Sequence, residues 1–258
     1  MGASLFGPDS MMWRINRESI LLLGGRAALL MQLAHPLVAA GVADYSAFRS
    51  DPIGRLRRTL DVMLTIVFGE ESVAVEAARK VNSLHDRIAG VAADGTPYRA
   101  KDPQLLLWVN FTLVDSSLRV YEACVATLSD GERDRYYEET KIVARLFDIP
   151  EEIIPPTISD LREWANQKIA SREVTVTPTA RALAEPILRP IRLVPWRLAA
   201  ASAFITAALL PAQIREGYGL RLSRPATAAL AAGRQTSRRL LPLVPPALRT
   251  FPAARSIG

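Results

Sequence analysis

Helix-start signals recur along this chain. Asp51-Pro52 and Asp102-Pro103 each place a capping side chain before a proline at the first helical position. Ser129-Asp130-Gly131-Glu132 has capping-box spacing, Thr157-Ile158-Ser159-Asp160 reads as another start, and Thr177-Pro178 as one more. These signals, with Gly69 and Gly90 as stops, predict helices over about 52–68, 70–89, 103–128, 130–147 and 158–170. An earlier apolar stretch from Ile15 to Leu33 is interrupted by Gly24-Gly25-Arg26 and ends at His35-Pro36, because a residue before proline avoids the helical region. Asp94-Gly95-Thr96-Pro97 is a loop and the main candidate for a small hairpin turn. The expected fold is all-α, one helical domain of about eight to ten helices over residues 12–250, with little or no β-structure and a flexible tail over 251–258.

Composition narrows the chemistry. One cysteine, Cys124, excludes an internal disulfide and any Cys₄ or Cys₂His₂ zinc site, and reads as an inert buried thiol. Two histidines, His35 and His85, exclude a three-histidine zinc centre, and neither follows a glutamate three residues earlier as a di-iron bundle requires. There is no phosphate-binding glycine loop and no nucleophile elbow. The expected compartment is reducing and cytoplasmic. Charge is uneven: 12 arginines face two glutamates, Glu185 and Glu216, from Arg181 onward, whereas the preceding residues are slightly acidic. That basic third is either a solvated face or a match for an anionic membrane surface or acidic partner. No basic patch interleaved with aromatics, helix-turn-helix or zinc module is present, so no nucleic-acid partner is expected. The 17 uncharged residues from Leu198 to Ile214 lie at the short limit for a membrane span, roughly 17–25 residues, and Pro211 interrupts them, so a buried core helix is expected.

Four places could carry chemistry. On the helix over 70–89, Ala77, Val81, Leu84 and Ile88 recur at helical spacing, and His85 lies on that face. An imidazole there is either a core histidine bonded to a backbone carbonyl or an axial ligand to a buried metal or haem. Arg55, Arg58, Thr59 and Val62 share another face beside a Leu56, Leu60, Met63, Val67 stripe. Two guanidiniums and a hydroxyl either sit in solvent or bind carboxylates and polarise an oxygen ligand. His35 stands at a helix break, where a histidine caps freed carbonyls or sits near a cofactor. Asn110 interrupts an apolar run and is expected to face the interior.

Several segments together resemble the family that includes rubber oxygenase (latex clearing protein) and the MpaB-type oxygenases. They are LLLGGRAALLMQLAHPLVAAGVADYSAF (21–48), DPIGRLRRT (51–59), VNSLHDRIAG (81–90) and PYRAKDPQLLLWVNFTLVDSSLRVYE (97–122), with a weaker echo in LLPAQIREGYGL (209–220). The resemblance implies an all-helical fold around a haem b pocket. It implies that His85 is the axial ligand, and that Arg55, Arg58 and Thr59 line the opposite side, where the family has an Arg-x-x-Lys-Thr motif. His35 and Asn110 are the further expected cofactor-binding residues. Arginines would meet the haem propionates. The implied reaction is oxygenation of an apolar, isoprenoid-like or lipid substrate with dioxygen. Two departures stand out: Arg58 occupies the lysine position, and Trp108-Val109-Asn110 stands where many bacterial relatives read Trp-Val-His. The rival expectation is a non-catalytic helical protein that kept the fold and binds lipid or lies on membranes through Leu198–Ile214 and its arginine-rich flank.

Overall fold

The structure, a computed structural model, describes residues 3–45, 52–188, 196–222 and 233–255. Two helices form its centre. The helix α2 (Leu22–Ala34) is apolar on nearly every side, as a helix must be when neighbours surround it. It packs on α6 (Pro103–Cys124), α3 (Pro36–Tyr45), α9 (Pro178–Leu188) and α10 (Trp196–Leu209). Gly24 permits the close approach to α6: a Cβ there would sit 3.1 Å from Val120 Cγ2 and 3.3 Å from the Ser116 carbonyl. Both glycines that interrupt the apolar pattern therefore lie inside one helix, and Gly24 serves packing. Contrary to the expectation of a break at Gly24-Gly25-Arg26, the interruption comes earlier, between α1 (Met11–Asn16) and a 3-10 turn at Ser19–Leu21.

At His35-Pro36 the chain bends by 102° and α3 begins at once. The proline removes one amide and fixes its own φ, so it ends one helix and starts the next. Two further helices, α4 (Pro52–Phe68) and α5 (Glu71–His85), are joined by Gly69 and Glu70 and pack on each other as an antiparallel hairpin. This hairpin docks on α1, on α7 (Asp130–Leu146) and on the C-terminal 3-10 turn Pro252–Arg255. Asp51, the expected cap of α4, lies outside the described residues.

The helix expected to reach Ala89 stops at His85, because Ala89–Val91 (β1) pairs antiparallel with Pro97–Arg99 (β2). The turn between them is the expected Asp94-Gly95-Thr96-Pro97 loop: Gly95 adopts φ +88° and Asp94 Oδ1 accepts the Thr96 amide at 3.0 Å. Tyr98 is buried between this hairpin and α3, and donates to Asp44 Oδ2 at 2.5 Å. Burial and then that bond hold the phenol well above its usual range. A Cβ on Gly90 would lie 2.6 Å from the Tyr98 hydroxyl. Gly90→Ala should therefore cost about 1–2 kcal/mol by overpacking, read as a lower urea midpoint. Asp44→Asn in the same background should cost little more, because the first change already breaks the bond.

The remaining starts fall where the caps place them. Asp102 Oδ1 accepts the Gln104 amide, Ser129 and Glu132 cap each other reciprocally, and so do Thr157 and Asp160 at α8 (Ile158–Ala170). The buried Asp115 of α6 accepts from Arg119 at 2.5 Å and from Arg162 of α8 at 2.8 Å. The stretch Leu198–Ile214 is broken: α10 ends at Leu209, and α11 (Ala212–Gly217) follows Pro211. Among its described side chains Thr206, Ala207, Leu209, Leu210 and Ile214 are buried, whereas Ala212 and Gln213 are exposed. Among the described residues no single helix is long and apolar enough to cross a membrane. Further on, residues 233–240 are helical, and 223–232 lie outside the described residues. The C-terminus wraps back on the start of the chain. Arg249 forms a two-pronged pair with the buried Glu18, and the Phe251 amide donates to the Arg17 carbonyl. Of the tail expected from 251, Phe251 is buried, Pro252–Arg255 forms the turn against α4, and 256–258 lie outside the described residues.

Candidate functional site

The α4–α5 hairpin sets the level of the expected site residues. Arg55 lies near the open end of α4, and His85 is the last residue of α5 at that same end. Arg58 and Thr59 lie about one turn closer to the Gly69-Glu70 connection. Arg58 is exposed and Thr59 half-buried; the Arg55 side chain lies outside the described residues. Arg58 also stands against the favourable sense of the helix dipole, being near the positive end of α4.

The inward face of α5 is Ala74 and Ala78, fully buried, continued by the half-buried Val81 and His85. These follow i, i+4, i+7, i+11 spacing. The expected face of Ala77, Val81, Leu84 and Ile88 is corrected by about 60° of rotation, taking 3.6 residues per turn. Leu84 is 61% exposed. The small alanines give close approach to α4 and attract no notice as core residues, whereas Leu84 reads as core by its hydrophobicity alone. His85 sits in the middle of the corrected face.

Three anchors fix His85 in place. Asn82, one turn earlier, donates from Nδ2 to the Leu146 carbonyl at 2.9 Å, which ties α5 to the end of α7. Lys101 bridges Asp86 at 3.1 Å and Asp148 at 2.8 Å. The Ala100 amide donates to the Ile88 carbonyl, so the hairpin holds the chain immediately after the helix. A cleft of about 350 Å³ lined by Arg79, Asn82, Asp86, Lys101 and Asp148 lies on a neighbouring face of α5.

His35 is almost fully buried. Its Nδ1 accepts the Leu37 amide at 3.3 Å, which makes it the N-cap of α3, with Pro36 at the first helical position. It was expected to cap freed carbonyls of the preceding helix. Those carbonyls go elsewhere: Trp108 Nε1 donates to the Met31 carbonyl at 3.1 Å and the His35 amide to the Gln32 carbonyl at 3.2 Å, while the Tyr218 hydroxyl adds a bond to the Leu30 carbonyl at 2.8 Å. Burial pushes the His35 imidazole down to about 4, so it is neutral near pH 7, and the accepted amide places its proton on Nε2. That tautomer has no lone pair left for a metal. His35 can serve a cofactor only as a hydrogen-bond donor.

The His35 ring lies 6.3 Å from that of Trp108, two residues before the half-buried Asn110. Beside them Gln32 donates to Thr112 Oγ1 at 3.1 Å, and Thr112 donates to the Val109 carbonyl at 2.7 Å. The structure thus brings His35 and the Trp108–Thr112 turn of α6 together at the α2–α6 contact. His85, Arg58 and Thr59 belong to the other group, on the α4–α5 hairpin. Sequence reasoning passed over Arg26, which reaches from α2 to Ser202 Oγ at 3.1 Å and to the Ile187 carbonyl near the end of α9. Half-burial lowers its pKa. Its signal was available: a charged residue inside an apolar helix needs a reason. Cys124 is half-buried, and burial pushes its thiol up.

Residues 12–242 match the family model of the catalytic domain of ER-bound oxygenase mpaB/B′ and rubber oxygenase. The chain belongs to this family. It is also similar to an uncharacterised protein of Mycobacterium tuberculosis and to one of Mycobacterium bovis, each 26% identical over 208 residues, or 77% of this chain and 80% of the relative. No solved structure is significantly similar to it. The family is one of oxygenases, so a small-molecule substrate and dioxygen go with membership.

The donor set is compatible with a haem. Among the described residues no three His, Cys, Asp or Glu side chains converge. A bare transition-metal ion takes several protein ligands, whereas haem iron takes its equatorial ligands from the porphyrin and needs one axial imidazole. The His35 Nδ1 lone pair is engaged by the Leu37 amide, and His85 carries the chain's other imidazole.

Proposed function

We propose that the protein is a haem-b-dependent oxygenase acting on an apolar, isoprenoid-like or lipid substrate with dioxygen. Family membership supports the reaction class. The observation that carries the residue assignment is the place of His85, on the inward face at the open end of the hairpin that also presents Arg58 and Thr59. His85 would hold the haem, with its second ring nitrogen oriented by a neighbouring acceptor. The haem, when bound, supplies the redox chemistry; the protein supplies orientation and electrostatics.

The roles of the other residues follow from their chemistry. Arg58 offers a planar guanidinium that orients or stabilises a developing negative oxygen, a different role from the proton donation that a lysine can make. Thr59 adds a hydroxyl that both donates and accepts. Arg55 is assigned beside them from its position on α4. Asn110 provides an amide where many relatives have an imidazole, which removes a titratable group from that turn. His35, neutral and protonated on Nε2, is a donor and a structural cap. Arginines of the basic C-terminal third are the candidates for the haem propionates.

The test is an absorption spectrum of the protein purified after expression with a haem precursor. A strong Soret band is expected, shifting on reduction and on adding carbon monoxide, and lost in His85→Ala. His35→Asn should retain the band, since Asn also caps the α3 amide. Absence of a Soret band after haem is added would overturn the reading. An unchanged band in His85→Ala would overturn the ligand assignment.

A further inference from the structure

From Gly217 to the C-terminus the chain carries seven arginines and no acidic residue. Part of this stretch is fastened to the body of the protein. The helical residues 233–240 are held by Ser237, which donates to the Cys124 carbonyl at 3.1 Å, and by Arg238, which donates to the Glu122 carbonyl and to Thr127 Oγ1. Arg249 closes on the buried Glu18, and Ser19 Oγ donates to the Arg249 carbonyl at 2.7 Å. Between these two fastenings the segment runs over the surface through Pro242, Pro245 and Pro246, each of which fixes its own φ.

The outward side of this strap is apolar and cationic together. Leu240, Leu243 and Leu248 are 55%, 77% and 74% exposed. Scattered exposed leucines are ordinary; three within nine residues on a rigid strap are not. Arg234 and Arg239 are exposed alongside them. Arg234, Gln235, Arg238 and Arg239 line an open cleft of about 560 Å³, bounded by guanidiniums and an amide that suit phosphate oxygens. The expected membrane face, Leu198–Ile214, offers no such surface: among its described side chains no large apolar one is exposed.

We propose that residues 234–248 dock the protein on an anionic phospholipid bilayer, with Leu240, Leu243 and Leu248 entering the acyl boundary and Arg234 and Arg239 meeting the lipid phosphates. Charge complementarity selects the occupant. The only charges on the strap are cations, so it is attracted to the negative potential of such a bilayer, an attraction that a neutral bilayer does not supply. The proline-stiffened, side-chain-fastened conformation means that little ordering remains to be done on binding. This inference stands apart from the haem reading: it is read from a different surface and holds whether or not a Soret band is found.

The experiment is co-sedimentation of the full chain with vesicles of phosphatidylcholine alone or mixed with phosphatidylglycerol, at low and high salt. Partitioning is expected only with the anionic vesicles, and high salt should reverse it. The double variant L243D/L248D should bind at least tenfold more weakly. Arg239→Gln and Arg234→Gln should each lose about fivefold, the equivalent of one cation near a charged surface. Val73→Asp, an exposed apolar position on α5, is the control and should bind as the parent does. Circular dichroism of each variant checks that it is folded. Equal binding to neutral vesicles, no binding to anionic ones, or undiminished binding by L243D/L248D would overturn the proposal. So would a self-association in vesicle-free buffer that L243D/L248D abolishes, since the leucines would then face a second copy.

Discussion

Trp108→Ala is expected to lower the unfolding free energy by about 3–5 kcal/mol, the range for emptying a fully packed aromatic site. The indole is 1% exposed and joins three helices. Its Nε1 donates to the Met31 carbonyl of α2, its ring lies 5.4 Å from Phe111 on α6, and it lies 6.3 Å from Trp164 on α8. The hydrogen bond matters beyond its own worth. The 102° bend leaves the His35 amide bonded to the Gln32 carbonyl, so Met31 loses its usual helical partner. Truncation both opens a cavity and strands a carbonyl in it. Trp108→Phe keeps most of the volume and loses only the donor, and should cost about 1–2 kcal/mol. Urea unfolding followed by circular dichroism reads both values. At roughly 2–4 °C per kcal/mol for a chain of this size, the alanine variant should melt about 10 °C lower. A loss below about 1 kcal/mol for Trp108→Ala would mean that the bend is held by something else.

What the sequence made legible here divides along a physical line. Helix starts were readable because caps are local: Asp102, Ser129 and Thr157 satisfy amides within three residues of themselves, whatever the rest of the chain does. Helix ends and faces were less so. The end of α5 is set by pairing of Ala89–Val91 with Pro97–Arg99, a competition between two local structures that a glycine stop at Gly90 does not reveal. The inward face of α5 was misread because burial followed the small Ala74 and Ala78, which let the helices approach, and left Leu84 outside. The same holds for Gly24, which looks like a break in one dimension and is a close contact in three. Of the site, the order of Arg58, Thr59 and His85 on consecutive helices was readable from spacing. The two-group division, with His35 beside Trp108 and His85 on the hairpin, was not, because it depends on which helices dock on which.

His35 makes acid stability the second large effect. Its imidazole is held at about 4 by burial, whereas in the unfolded chain it protonates near its ordinary 6.5. Between those values the unfolded state binds the extra proton and the folded state does not, so stability rises with pH across this window. The contribution is fully present above about 6.5 and is lost as pH falls through 6.5 towards 4. Two and a half pK units set a ceiling of about 3 kcal/mol, and at pH 4.5 roughly 2–3 kcal/mol of it should already be gone. Protonation also ends the acceptance of the Leu37 amide, since an imidazolium has no lone pair, so the cap of α3 is lost with the charge change. His35→Asn separates the two effects: asparagine keeps an oxygen for the amide and does not titrate. The urea midpoints of parent and variant should therefore converge as pH drops from 7 to 4.5, by an amount equal to the histidine's share. Because the Trp108 ring helps exclude water from His35, Trp108→Ala should raise the imidazole back towards 6.5 and flatten the same slope. Parallel pH profiles in parent and His35→Asn would show that the imidazole is as easily protonated folded as unfolded, and would remove it as the source of acid sensitivity.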